Sequence, residues 1–251
     1  MKVIVTGTGR CGTVYMARLL TSLGLPCGHE SIFNLSLRDL NDRLINRDFK
    51  YSICSIWDTL QEKDLPKWVD LKTLKADSSY MAAPFLKHPT IADVPVIHVV
   101  RNPLQVISSF ILDGEFFTYK VKDNVFFPPP KSAHLNKHVF PYEAFMTRHV
   151  PLMESVHSPV ERACRFYIEW IKMIEAENNG TRKFLRVKIE DQKPVSEDVL
   201  SFLQLQKRDN VFSDSTSNSW KKRIRDYKLV DVPKVIRDEF VASAASVGYQ
   251  L

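Results

Sequence analysis

Apolar residues along this chain follow two rhythms. Short unbroken runs rich in β-branched residues end at glycine, serine or a charged residue, which is the pattern of strands buried on both faces. Longer stretches repeat apolar positions every three or four residues, which is one face of a helix. "KVIVT" (2–6) is a run of the first kind and leads into glycines. Met16, Leu19, Leu20 and Leu23 then form a helical stripe, and Gly24 supplies its C-terminal cap. "YSICSIW" (51–57) and "TLKADSS" (73–79) are further strand candidates. "VPVIHVV" (94–100) is the clearest buried strand. After Arg101, Asn102 is a good N-cap and Pro103 suits the first helical position. A long stripe through Ala163, Tyr167, Ile171 and Ile174 ends at "NNG" (178–180). "KFLRVKIED" (183–191) reads as a strand, Ser196 as the cap of a helix through Leu203, and Pro233 as the start of a last helix to about Ser246.

Strands alternating with helices predict an α/β fold: a three-layer, P-loop-like arrangement with a central, mostly parallel sheet flanked by helices. Ligands of such folds bind beyond the carboxyl ends of the strands, where the loops at 7–13 and 101–102 would lie. Residues 113–158 break the rhythm, with Pro128, Pro129 and Pro130, many aromatics, and four of the seven histidines (His134, His138, His149, His157). We read them as an insertion with short helices that shapes a substrate pocket, within a single domain spanning 1–251.

Composition changes this picture little. The 251 residues are 44% hydrophobic, which argues against disorder, and no apolar run reaches membrane-spanning length. A strand beginning at Lys2 leaves no room for a signal peptide, so a cytoplasmic location is expected. Cys11, Cys27, Cys54 and Cys164 form no C-x-x-C pair, which predicts free thiols and no structural zinc. The net charge of +6 suits an anionic ligand without specifying nucleic acid.

The chemistry begins at "GTGRCGTV" (7–14). Gly7 and Gly12 have the separation of a Walker A loop, but Thr13 stands at the lysine position and Val14 at the Mg²⁺-binding hydroxyl. What survives is an anion cradle: backbone amides of Cys11, Gly12, Thr13 and Val14, the Thr13 hydroxyl and a helix start, with Arg10 beside them.

"GRCGT" resembles the donor loop of the sulfotransferases that use PAPS (3′-phosphoadenosine 5′-phosphosulfate), in the arginine style of the carbohydrate, tyrosylprotein and bacterial enzymes. The resemblance implies that Gly9, Arg10, Cys11, Gly12, Thr13 and Val14 hold the 5′-phosphosulfate, with Arg10 catalytic. "RNPLQVISS" is similar to the family's second motif, an arginine at a strand end followed eight residues later by a serine. It implies that Arg101 and Ser109 bind the 3′-phosphate. "LKADSSY" (74–80) and "LRVKIED" resemble further family strands, with Glu190 structural. "NSWKKRIR" (218–225) occupies the place of the basic segment that closes over the donor, so Trp220, Lys221 and Lys222, with Arg223, are candidates. "PCGHES" (26–31) is similar to stretches in which a glutamate serves as base, which implies Glu30, with His29 as alternative.

The implied activity is sulfuryl transfer from PAPS to a hydroxyl of a small-molecule, carbohydrate or peptide acceptor, with PAP (adenosine 3′,5′-bisphosphate) as product. No metal, nucleic acid or membrane span is expected. Two competing readings are a P-loop kinase or NTPase with a degenerate Walker A loop, and a basic nucleic-acid-binding protein using "WKKRIR".

Overall fold

A computed structural model describes residues 1–31, 33, 74–87, 89–113, 120–122, 125–127, 149–150, 156, 158–206 and 227–251. The strand candidate at 51–57, the basic segment at 218–225, and His134, His138 and His157 lie outside these residues.

The chain runs β1 (Val3–Thr6), α1 (Thr13–Ser22), β2 (Cys27–His29), β3 (Ala76–Ser78), β4 (Val96–Val100), α2 (Pro103–Asp113), β5 (Lys120–Lys122), β6 (Val125–Phe127), α3 (Pro159–Glu175), β7 (Phe184–Lys188), α4 (Gln192–Leu203) and α5 (Lys234–Ser246). The main sheet has the order β2-β3-β1-β4-β7, with every adjacent pair parallel. Parallel pairing demands crossover connections, and the described helices cover both faces as the alternation of patterns predicts.

Side chains alternate across β1 and β4, so each strand feeds two cores. Ile4, Val96 and Val100 pack with Phe166, Tyr167, Trp170 and Phe240 of α3 and α5. Val3, Val5, Ile97 and Val99 pack with Met16, Leu19 and Leu20 of α1 and with Val199 of α4. All four residues of the predicted stripe, Ala163, Tyr167, Ile171 and Ile174, are buried. Ser158 caps α3, its hydroxyl accepting the N–H of Glu161. Pro159 follows at a position where no N–H is needed.

Two expectations change. The helix assigned to Ser196 begins a turn earlier, at Gln192, with Asp191 as N-cap. Pro194 falls in its first turn, where the missing N–H has no intrahelical partner in any case, so the proline does not delay the helix. Within 113–158, where short helices are expected, the described residues after α2 include an antiparallel ribbon pairing Lys120–Lys122 with Val125–Phe127. Valine and phenylalanine favour extended backbone.

β1 leads towards β2 on one side of the sheet, while β4 leads to β7 on the other. The connections leaving β1 and β4 therefore diverge at adjacent strands, which opens a crevice at their carboxyl ends. Thr6 pairs with His98, so residues 7–12 and 101–102 emerge side by side.

Candidate active site

The first loop is built by close approach. A Cβ on Gly7 would lie 2.4 Å from the carbonyl oxygen of Val99, so only glycine lets β1 turn there. Gly12 has φ 107° and is the N-cap of α1, with no side chain capping the helix. The first intrahelical bond runs from the Met16 N–H to the Gly12 carbonyl at 3.0 Å. The amides of Thr13 and Val14 thus have no carbonyl acceptor within the helix, and they carry the positive end of its dipole. Val14 is 46% exposed, so this helix start opens outwards.

Arg10 sits between the glycines with φ 53°, an uncommon conformation for a non-glycine residue. Its Nε donates to Ser109 Oγ at 3.2 Å. Arg101 Nη1 donates to the Arg10 carbonyl at 3.0 Å, and Arg101 Nε donates to Gln105 Oε1 at 3.2 Å. Two motifs about 90 residues apart in sequence therefore meet as one cluster.

Cys11 plays a different part. Its thiol is fully buried, and burial pushes it up to about 11 against the influence of the nearby amides of Gly9, Cys11 and Thr8. It is a neutral packing group, and any anion contact from this position would come from its backbone.

The second wall rises from β2. His29 and Glu30 follow Gly28, and Glu30 also has a positive φ, 51°. Its N–H donates to the Ser78 carbonyl at 3.1 Å. Asp77, completely buried on β3, accepts the N–H groups of Ser31 and Phe33, each at 3.1 Å. This carboxylate clamps the turn that presents Glu30. Burial, then the charge of Asp77, raises the Glu30 carboxyl to about 7, with Arg10 pulling the other way. Burial lowers His29, while Asp77 raises it. His29 Nε2 lies 3.2 Å from Thr13 Oγ1 and 4.0 Å from Glu30 Oε1. Ser78 Oγ donates to the Thr13 carbonyl at 2.8 Å, tying this wall to the helix start.

An apolar wall backs the loop at Gly9, where an added Cβ would touch Tyr80 and Phe110 at 3.4 and 3.6 Å. Trp170 holds that wall, its indole N–H donating to the Tyr80 carbonyl at 2.9 Å.

Of the candidates named from sequence, Arg10 meets Ser109 and Arg101, and Thr13, His29 and Glu30 form a second group at the helix start, whereas Trp220, Lys221 and Lys222 lie outside the described residues. Sequence reasoning missed Asp77 and Gln105. A carboxylate at the centre of a strand candidate was the available signal for Asp77; nothing distinguished Gln105. Among the described residues, no three His, Cys, Asp or Glu side chains gather as metal ligands.

No family model and no curated protein sequence matches the chain. Among solved structures it is similar to the "Sulfotransferase Domain from the Curacin Biosynthetic Pathway", with a TM-score of 0.51 and 14% identity over 99% of this chain and 98% of that one. The chain has a sulfotransferase fold. Among the described residues, no helix of this sulfotransferase-like fold is long and apolar enough to cross a membrane.

Proposed function

We propose that the protein is a sulfotransferase that moves a sulfuryl group from PAPS to an acceptor hydroxyl. The observation that carries this reading is the joined cluster of Arg10, Ser109 and Arg101 beside the start of α1, with Glu30, just after β2, within reach of the Arg10 charge. Two guanidiniums beside a helix start suit an anionic donor, and the fold supports the same reading.

The amides of Thr13 and Val14 and the Arg10 guanidinium would hold the 5′ end, while Arg101 and Ser109 would hold the 3′-phosphate. Trp220, Lys221 and Lys222 belong to the same proposal as a basic cover. The donor supplies the sulfuryl group. Glu30 takes the proton of the acceptor hydroxyl as that oxygen bonds to sulfur. The electron pair of the broken S–O bond stays on the donor's phosphate, where Arg10 offsets the developing charge. His29 orients the Thr13 hydroxyl and neighbours the base. The acceptor is a small molecule, carbohydrate or peptide. A reducing, cytoplasmic setting agrees with the unpaired thiols of Cys11, Cys27 and Cys164.

Thermal unfolding with adenosine 3′,5′-bisphosphate, ATP with Mg²⁺, or duplex DNA tests this reading. At a hundred times its dissociation constant, a ligand of the native state adds about 2.7 kcal/mol. The bisphosphate should raise the melting temperature. A rise with ATP and Mg²⁺ or with DNA, and none with the bisphosphate, would overturn the assignment.

A further inference from the structure

The segment after α5 returns to the carboxyl edge of the sheet, next to Arg101. Tyr249 donates its hydroxyl to Glu190 Oε2 at 2.8 Å. The other oxygen, Oε1, accepts the backbone N–H of Asn102 at 2.7 Å. Asn102 is the residue after Arg101, and its own Oδ1 accepts the N–H groups of Leu104 and Gln105 at 3.0 and 3.3 Å. The Ile189 N–H also donates to the Val100 carbonyl at 2.9 Å, so the segment leaving β7 grips the chain on both sides of Arg101.

Tyr249 is itself held on three sides. Its N–H donates to the Ala244 carbonyl at 3.0 Å. Lys188 Nζ donates to the Gly248 carbonyl at 2.6 Å and lies 4.8 Å from the centre of the Tyr249 ring. Gly248 has φ 88°, and an added Cβ would lie 3.3 Å from the Lys188 side chain. The turn thus brings the phenol to Glu190 from a fixed direction.

Glu190 presents a charge problem at this place. A carboxylate one residue from a phosphate-binding arginine repels the phosphate, and a free one competes for the guanidinium. Here both oxygens are engaged, one by Asn102 and one by Tyr249. We propose that Tyr249 is a positioning residue for the 3′-phosphate: it turns the Glu190 carboxylate away from Arg101 and fixes the Arg101 loop through Asn102. This rests on the donor reading above and adds to it the group that sets selectivity for a 3′-phosphorylated nucleotide.

The experiment compares binding of adenosine 3′,5′-bisphosphate and adenosine 5′-monophosphate by calorimetry, in the whole chain. In Tyr249→Phe the preference for the bisphosphate should fall about three- to tenfold, the size of one hydrogen bond, with monophosphate affinity kept. Adding Glu190→Gln should restore the preference, because no carboxylate then competes for Arg101. An equal loss for both nucleotides, or no change, would overturn the proposal. If Tyr249→Phe does not fold, Glu190→Gln alone decides. A maintained or raised preference supports the proposal, and a fall refutes it. A wild-type protein without preference for the bisphosphate would instead overturn the donor reading, and this inference with it.

Discussion

Arg10 and Glu30 are close enough for the guanidinium to act on the carboxyl, and both have left-handed backbone, with φ 53° and 51°. Such conformations persist only where the surroundings impose them, here the Arg101 bond to the Arg10 carbonyl and the Asp77 clamp beside Glu30. Glu30 also carries an electrostatic cost. Its carboxyl sits near 7 in the folded protein against an ordinary value of 4.5. Between those values the folded state holds a proton that the unfolded state has lost, so folding stability falls as pH rises from 4.5 to 7 and stays lower above. Glu30→Gln removes that cost. It should raise the melting temperature at pH 8 by about 2–4 °C, for roughly 1 kcal/mol, while turnover falls at least 100-fold. In the wild type, kcat/KM should rise with pH through an inflection near 7. Scanning calorimetry and a pH profile of sulfuryl transfer check the pair of effects; a variant that loses activity without gaining stability at pH 8 would contradict the charge argument.

At the scale of elements, the site depends on how α1 begins. Gly12 combines φ 107° with a position where a Cβ would come within 2.6 Å of Ile189 Cγ1, on the segment leaving β7. A substitution therefore strains the backbone and pushes β7 from the helix start at once. Gly12→Val should cost about 2–4 kcal/mol in urea unfolding and weaken bisphosphate binding at least tenfold. Normal binding in a stably folded Gly12→Val protein would show that the helix start does not hold the ligand. α4 shows how an element's ends depend on context. Pro194 reads as an interruption in a one-dimensional pattern, yet it lies in the first turn of a helix that Asp191 begins.

Across the whole molecule, α3 is bound to the sheet by charge as well as by its apolar face. Glu175 accepts His98 Nδ1 at 2.6 Å and both Nε and Nη2 of Arg186. Burial alone would raise the Glu175 carboxyl, but the bonds from His98 and Arg186 outweigh it and hold it near 2. Burial lowers His98 too, against the pull of Glu175. For both groups the unfolded chain binds protons more readily, so stability is full at neutral pH and declines with acid. The decline starts as pH falls through the ordinary histidine range and continues between about 4.5 and 2 for Glu175. Glu175→Gln should lose about 2 kcal/mol at pH 7 and show a shallower decline below pH 4.5. Urea titrations at several pH values read this directly. Parallel pH curves for the two proteins would remove Glu175 as the source.

Much of this design is legible in the order of residues. β-branched runs that end in glycine or arginine dictate buried strands, and the 3.6-residue stripe of Ala163, Tyr167, Ile171 and Ile174 dictates the face of α3, because these patterns are local. The spacing of Arg101 and Ser109 on one strand and helix is also local, as is the pairing of Gly7 with Gly12. That Ser109 bonds to Arg10, that Asp77 clamps the turn of Glu30, and that Tyr249 reaches Glu190 are contacts between residues tens to about a hundred positions apart. They depend on the order β2-β3-β1-β4-β7. No periodicity carries that order, since it follows from how crossovers bury both faces of the sheet together. The pKa of Glu30 belongs with them: desolvation and a neighbouring carboxylate exist only once distant segments have packed.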